Sequence, residues 1–275
     1  MRLQSAPPLA PPLAPGEEIA PRYTVVEHVS RNQALDVYDV WDAARYCRCV
    51  AKTLRPDRLG SDDRALARLR MEGELLARFA HPHLVRAYET LEDPQTIVIL
   101  ETLSGETLGR HLEGRGRRLP AADVAMLGLH VGSAVRYMHG QGYVHLDLKP
   151  SNVIIDMGFA KVLDLSLARP PGELRAGVGT RFYLAPEQAR GGAVSTAADV
   201  WGVGVLLYEA AAGVPAFDEE PGAEKHPQSS RRAAPVRRVR RLPADLAETI
   251  DACLEPLAAD RPTLDGVLAA LEPLA

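Results

Sequence analysis

The stretch His145-Leu146-Asp147-Leu148-Lys149-Pro150-Ser151-Asn152 puts a carboxylate, an ammonium and a carboxamide in close succession, and a second carboxylate, Asp164, follows twelve residues after Asn152. Moving a phosphoryl group onto a hydroxyl needs these group types. The hydroxyl needs an acceptor for its proton, the migrating phosphoryl needs positive charge beside it, and a metal needs oxygen ligands in fixed relation to the base. In that chemistry Asp147 is the base, Lys149 the point charge, and Asn152 with Asp164 the Mg²⁺ ligands. Each residue alone has a plainer reading, since a lone Asp in a loop is most often a turn or cap residue. The order His-x-Asp-x-Lys-x-x-Asn is what makes chance a poor explanation.

Four groups reach one mouth if a loop, a short hairpin and a second loop carry them, so the surrounding pattern matters. Tyr23–Val26, Val37–Trp41, residues 47–54, 84–90 and 96–101 read as strands, and Val37–Trp41 alternates with period two. Residues 62–80 read as a helix with Leu66, Leu69, Leu75, Leu76 and Phe79 near 3.6 spacing, ended by His81-Pro82. The remainder is mostly helical. Residues 120–139 place Val124, Leu127, Val131, Val135 and Met138 on one face, residues 197–212 form a strongly apolar helix, and 244–255 and 264–272 are amphipathic. The expected organisation is a Pro-rich, disordered, PPII-like tail over 1–21, a small β-rich lobe with one helix over 22–103, and a larger helical lobe over 104–275.

A chain of 275 residues has room for two such lobes. A formal net charge of -4 argues against general nucleic-acid binding. No apolar run has the length of a membrane span, and the N-terminus lacks a secretory pattern. Cys47 and Cys49 form a C-x-C pair without the further ligands of a zinc site, so two side chains on one strand face is the simpler reading. With only three cysteines, a reducing cytoplasm is expected. The arginines between 231 and 241 read as a solvated loop, with an acidic docking partner as the alternative.

The motif order resembles the eukaryotic-like (Hanks-type) serine/threonine protein kinases of bacteria, from about Arg22 to the C-terminus. Cys49-Val50-Ala51-Lys52 is similar to the strand motif whose lysine grips the α- and β-phosphates. Glu72 stands where the family's helix glutamate pairs with that lysine. Ile97–Leu108 resembles the last strand and hinge of the small lobe, with Leu100 as gatekeeper. Gly179-Thr180 with Tyr183-Leu184-Ala185-Pro186-Glu187 is similar to the end of the activation segment. Asp199 with Trp201 and Gly202 resembles the motif that ties down the catalytic loop, and Asp260-Arg261-Pro262-Thr263 the late arginine motif that pairs with Glu187. The resemblance implies an α+β, bilobal protein-kinase fold that binds ATP and Mg²⁺ and acts on a protein substrate. It also implies that Val37, Val50 and Ile154 flank adenine, and that Glu101 and Leu103 offer it backbone groups. Lys149 and Thr180 favour a Ser/Thr acceptor over Tyr.

Three departures follow. The glycine-rich loop is degenerate, because its glycine positions fall at Ser30, Asn32 and Leu35 and no glycine lies between Gly16 and Gly60. The metal motif reads Asp164-Leu165-Ser166. Leu146 replaces the arginine that receives an activation-loop phosphate, making the chain non-RD, and no Ser, Thr or Tyr lies between Ser166 and Thr180. Receptor and phosphate site are missing together, which points to a kinase not controlled by activation-loop phosphorylation. Control then falls to a regulatory protein partner, reached through the Pro-rich tail or the arginine cluster, or is absent. The missing glycines keep a pseudokinase, a nucleotide-binding or scaffolding module, as the alternative. A small-molecule acceptor on the same fold is the third reading.

Overall fold

The computed structural model describes residues 10–113, 118–218 and 224–275. The chain divides into two compact units, one running through Ala80 with Val85–Leu103, the other comprising His81–Leu84 with Ser104–Ala275.

In the first unit the strands β1 (Glu18–Ala20), β2 (Tyr23–Arg31), β3 (Leu35–Asp42) and β4 (Cys47–Leu54), the helix α1 (Asp63–Arg78), and then β5 (Ala87–Leu91) and β6 (Ile97–Glu101) follow in chain order. The strands form one six-stranded antiparallel sheet in the order β1-β2-β3-β4-β6-β5. Period-two alternation sorts its two faces. Tyr38, Val40, Cys49, Ala51, Ile97 and Ile99 join Ile19, Ala20, Tyr23 and Val25 in a buried apolar cluster. The other face carries Val37 opposite Lys52, Val50 opposite Leu100, and Val98 opposite Lys52. Helix α1 begins at Asp62, whose side chain accepts the Ala65 N–H at 3.0 Å, and buries Leu69, Glu72, Gly73, Leu75 and Leu76. Gly73 sets its approach to the sheet: a Cβ there would lie 2.4 Å from Thr90 Oγ1 and 3.1 Å from Val98 Cγ2.

The tail expected over 1–21 is corrected for its described part. Glu18–Ala20 pair with β2, Gly16 N–H donates to Val25 O at 2.8 Å, and Leu13 packs on the apolar cluster while its N–H donates to the Tyr38 hydroxyl at 3.1 Å. The physical reason is that extended, proline-stiffened backbone needs little further ordering to lie along a sheet edge, and Ile19 and Ala20 supply apolar surface to bury. Residues 1–9 lie outside the described residues. Cys47 and Cys49 share one strand face with their sulfurs 3.9 Å apart, and burial pushes the Cys49 thiol up to about 12.

The second unit contains β7 (Glu106–Thr107), α2 (Leu108–Leu112), α3 (Ala121–Gly140), β8 (Val153–Asp156), β9 (Phe159–Val162), β10 (Gly172–Leu174), α4 (Pro186–Arg190), β11 (Gly192–Val194), α5 (Ala197–Ala212), α6 (Val236–Val239), α7 (Ala244–Cys253) and α8 (Leu264–Leu271). Helix α5 is apolar nearly all round and buried along almost its whole length, as a helix packed on several sides must be. It contacts α3, α6 and α7, and α3 in turn contacts α8. β7, β8 and β9 form a small antiparallel sheet, and β10 pairs with β11. The arginine cluster is only partly a solvated loop. Residues 236–239 form a helical turn, and Arg240 reaches back with Nη1 donating to Ala211 O at 2.9 Å and Leu119 O at 2.5 Å. Arg237, Arg238 and Arg241 are exposed.

Candidate active site

Antiparallel register brings the first set of residues to one sheet face. Lys52 is two residues after Val50 on β4, directly across from Val37 on β3 and Val98 on β6. Its ammonium lies 2.9 Å from Oε1 and 2.7 Å from Oε2 of Glu72. Side-chain exposure is 10% and 1% for the two residues, so both charges have given up most of their water. An apolar pair would be cheaper at such a position; an oriented ammonium beside the apolar side chains of Val37, Val50 and Leu100 suits a ligand with an anionic part and a flat apolar part. Glu101 ends β6 with its N–H donated to Arg86 O at 2.9 Å, and Leu103 follows, partly exposed.

The β2–β3 connection falls among Ser30, Asn32 and Leu35, the positions of the glycine-rich loop in the family resemblance. It is a short turn closed by Asn32, whose N–H donates to Leu35 O at 2.9 Å and whose Oδ1 accepts the N–H groups of Ala34 at 2.9 Å and Leu35 at 2.7 Å. From the end of β4, Arg55 donates to the carbonyls of Asn32 at 3.1 Å and Gln33 at 3.4 Å, while Asp57 holds its guanidinium on two oxygens. At the base of the turn, Arg31 grips Asp36 through Nε at 2.7 Å and Nη2 at 2.8 Å. An asparagine side chain does locally what backbone freedom does in a glycine turn.

The second set lies in the other unit. Three side chains converge on the Asp147 carboxylate. Thr180 Oγ1 donates to Oδ1 at 2.7 Å, Lys149 Nζ donates to Oδ2 at 2.8 Å, and Asn152 Nδ2 donates to Oδ2 at 3.2 Å and to the Asp147 carbonyl at 2.9 Å. Lys149 Nζ also donates to Thr180 Oγ1 at 2.6 Å. Below this loop, buried Asp199 at the start of α5 accepts the N–H of His145 at 2.7 Å, the N–H of Leu146 at 2.8 Å and His139 Nε2 at 2.8 Å. Full burial holds the His145 imidazole below its ordinary pKa and therefore neutral, and its Nδ1 accepts the Asp147 N–H at 3.2 Å. Leu146 takes φ +67°, a left-handed conformation uncommon for a leucine.

The β8–β9 hairpin joins Asn152 to Asp164. Val153 pairs with Val162, and Leu163 N–H donates to Asn152 O at 2.9 Å. Ile154, on β8, pairs with Thr107 and Lys161 and is partly exposed. Asp164 Oδ1 accepts the Ser166 N–H at 2.8 Å, and Leu165 is fully buried. With Asn152 Nδ2 committed to Asp147, its Oδ1 is the group left to bind an oxygen-seeking cation. One carboxamide oxygen and one carboxylate fit Mg²⁺, which keeps waters and shares ligands with substrate phosphates instead of occupying an all-protein cage.

The sequence reading missed three supports: His139 beneath Asp199, Arg55 on the hairpin turn, and Gln188 on α4. Only Gln188 had a local signal, standing at the third helical position after Ala185-Pro186, where a Glu or Gln side chain reaches back to the N-cap N–H.

Comparison with known proteins agrees on one family. The protein kinase domain family matches residues 23–271. The serine/threonine-protein kinase PkaA of Streptomyces coelicolor is 32% identical over 241 residues, covering 82% of this chain and 43% of that protein. The serine/threonine-protein kinase PknB of Mycobacterium tuberculosis is 30% identical over 212 residues, covering 72% of this chain and 34% of its own length. The chain thus spans less than half the length of these relatives. The crystal structure of the PknI kinase domain of Mycobacterium tuberculosis superimposes with a TM-score of 0.75 at 24% identity, covering 96% of this chain and 99% of that one.

Proposed function

The chain belongs to the protein kinase domain family, and from that premise we propose that it transfers the γ-phosphate of Mg-ATP to serine or threonine hydroxyls of protein substrates. The observation that carries this reading is the convergence of Thr180, Lys149 and Asn152 on the Asp147 carboxylate. A carboxylate offers about four acceptor sites. Three are taken by side chains that fix its orientation, which leaves room for one further donor, the substrate hydroxyl. Asp147 takes that proton as the oxygen–phosphorus bond forms and the bond to the β-phosphate oxygen breaks, releasing ADP. Lys149 supplies positive charge at the moving phosphoryl. Lys52, oriented by Glu72, binds the α- and β-phosphates, with Val37, Val50 and Ile154 flanking adenine and the backbone of Glu101 and Leu103 meeting its edge. Asn152 and Asp164 would hold Mg²⁺, which would supply positive charge to offset that of the phosphates.

Two finer points belong to this proposal. The glycine-rich loop is replaced by the Asn32 turn, and activation-loop phosphorylation does not control activity. Supporting the second, the Thr180 hydroxyl already sits on the catalytic carboxylate, where a phosphate would repel it. A stoichiometric, activating phosphate mapped at Thr180 would count against that point.

One observation favours a second reading. Three of the N–H groups around the Asn32 turn are satisfied inside the turn, so fewer remain for phosphate oxygens. This suits a pseudokinase that signals by shape. Turnover of γ-labelled ATP with Mg²⁺ separates the two, scored as self-phosphorylation, transfer to a mixed basic protein substrate and release to water. Asp147→Asn is expected to lower transfer by about 10²- to 10⁴-fold. Equal signal from wild type and variant would sink the kinase reading.

A further inference from the structure

The activation segment lacks a phosphate acceptor between Ser166 and Thr180, yet it is built into the second unit throughout. Val144 and Arg169 bridge at its start, β10 pairs with β11 in its middle, and Gly177 N–H donates to Gln188 O at 2.8 Å near its end. The Gln188 side chain, in a residue only 2% exposed, makes three more bonds. Its Nε2 donates to Leu146 O at 2.9 Å and to Val178 O at 3.2 Å, and its Oε1 accepts the Ala185 N–H at 3.1 Å.

Those partners are informative. Leu146 immediately precedes Asp147, and its carbonyl is presented from a left-handed residue whose N–H is fixed by Asp199. Val178 lies two residues before Thr180, whose hydroxyl donates to Asp147. Between them Gly179, at φ +124°, leaves no room for a side chain, since a Cβ would stand 2.4 Å from Leu184 Cδ2 and 3.1 Å from Leu146 O. One amide group therefore joins the catalytic loop, the activation segment and the start of α4, at the place where Leu146 can offer no charge to a phosphate.

We propose that Gln188 is a positioning residue that clamps the activation segment to the catalytic loop in its substrate-accepting form, a fixed neutral link instead of a switchable phosphate–arginine pair. The proposal rests on the kinase reading for its kinetic consequence, though not for the clamp itself.

The test compares wild type with Gln188→Met, which keeps the shape and removes all three side-chain bonds, and Gln188→Glu, which keeps the acceptor and loses the donors. Gln188→Met is expected to raise the KM for a peptide substrate about tenfold while leaving the KM for ATP within about twofold. Gln188→Glu should match it at about pH 8 and recover towards wild type at about pH 6. A buried carboxyl facing two carbonyls is driven to its protonated form, which again donates one hydrogen bond. Hydrogen exchange run in parallel should show faster exchange over residues 175–180 in Gln188→Met. Unchanged peptide KM and unchanged exchange would overturn the clamp. So would equal rises in both KM values with no recovery of Gln188→Glu at low pH, the signature of general loosening. If Gln188→Met does not fold, the pH profile of Gln188→Glu decides. If wild type shows no turnover, the kinase reading fails, and hydrogen exchange still judges the clamp.

Discussion

Arg261 shows how much one side chain can organise. Its guanidinium meets both oxygens of Glu187, with Nη1 to Oε1 at 2.7 Å and Nη2 to Oε2 at 2.9 Å. It also donates to the carbonyls of Ala197 and Glu255, both at 2.8 Å, and lies 5.1 Å over the Trp201 ring. The Arg261 side chain is fully buried, so removing it strands the Glu187 carboxylate. Arg261→Ala is expected to cost about 3–5 kcal/mol in urea unfolding, and Arg261→Lys most of that, because an ammonium cannot reproduce the planar fork. A loss below about 1 kcal/mol would refute this. Residues of this kind were legible in the sequence because their partners sit in fixed motif order: Lys52 with Glu72, Arg261 with Glu187, Asp199 under His145. Gln188 and His139 were not, since a neutral amide and a helical histidine gain meaning only from the backbone groups that folding sets beside them.

At the scale of elements, the β2–β3 hairpin is the informative case. A β-rich run at Tyr23–Val26 and period-two patterning at Val37–Trp41 located the two strands, but the turn was visible only as an absence of glycine. What fills that absence is a set of side-chain bonds, Asn32 inside the turn and Arg55 across it. Asn32→Ala removes an acceptor for two backbone N–H groups. It should lower stability by about 1 kcal/mol and raise the KM for ATP without a matching loss of peptide affinity. Isothermal titration of nucleotide checks this, and unaltered ATP affinity would mean that the turn does not touch the phosphates. Short elements such as β10, α4 and β11 escaped the sequence reading for a different reason. Three to five residues are too few to display a period, and their pairing partners lie elsewhere in the chain.

For the molecule as a whole, the two units should answer acid differently. In the second unit burial holds the imidazoles of His81, His130 and His145 below the ordinary histidine value, His130 at about 4. The unfolded chain then takes up protons first as pH falls below about 6.5, so this contribution to stability is lost between there and about pH 4. In the first unit burial would raise the carboxylates, but hydrogen bonds outweigh it: Arg31 and His28 hold Asp36 low, Arg45 and two backbone N–H groups bring Asp42 to about 2, and Tyr23 with Arg45 depress Glu89. That stability is present above about pH 4 and is lost below it. Hydrogen-exchange protection, corrected for intrinsic rate, should therefore weaken around His81, His130 and His145 between about pH 6.5 and 4.5, but not around Glu209 and Asp251, whose carboxyls burial raises and which act in the opposite sense, while the first unit holds. A flat response around those three histidines over that interval would contradict the assignment. The strand β1 carries a further consequence. Family resemblance begins at residue 23, but the folded sheet begins earlier, at Glu18, with Leu13 already packed upon it. The stretch before the family boundary pairs with the start of β2, Tyr23–Val25, and so covers backbone groups there that would otherwise be a template for chain-to-chain pairing. The evolutionary unit and the folded sheet are thus of different lengths, and a handful of residues outside the first is needed to complete the second.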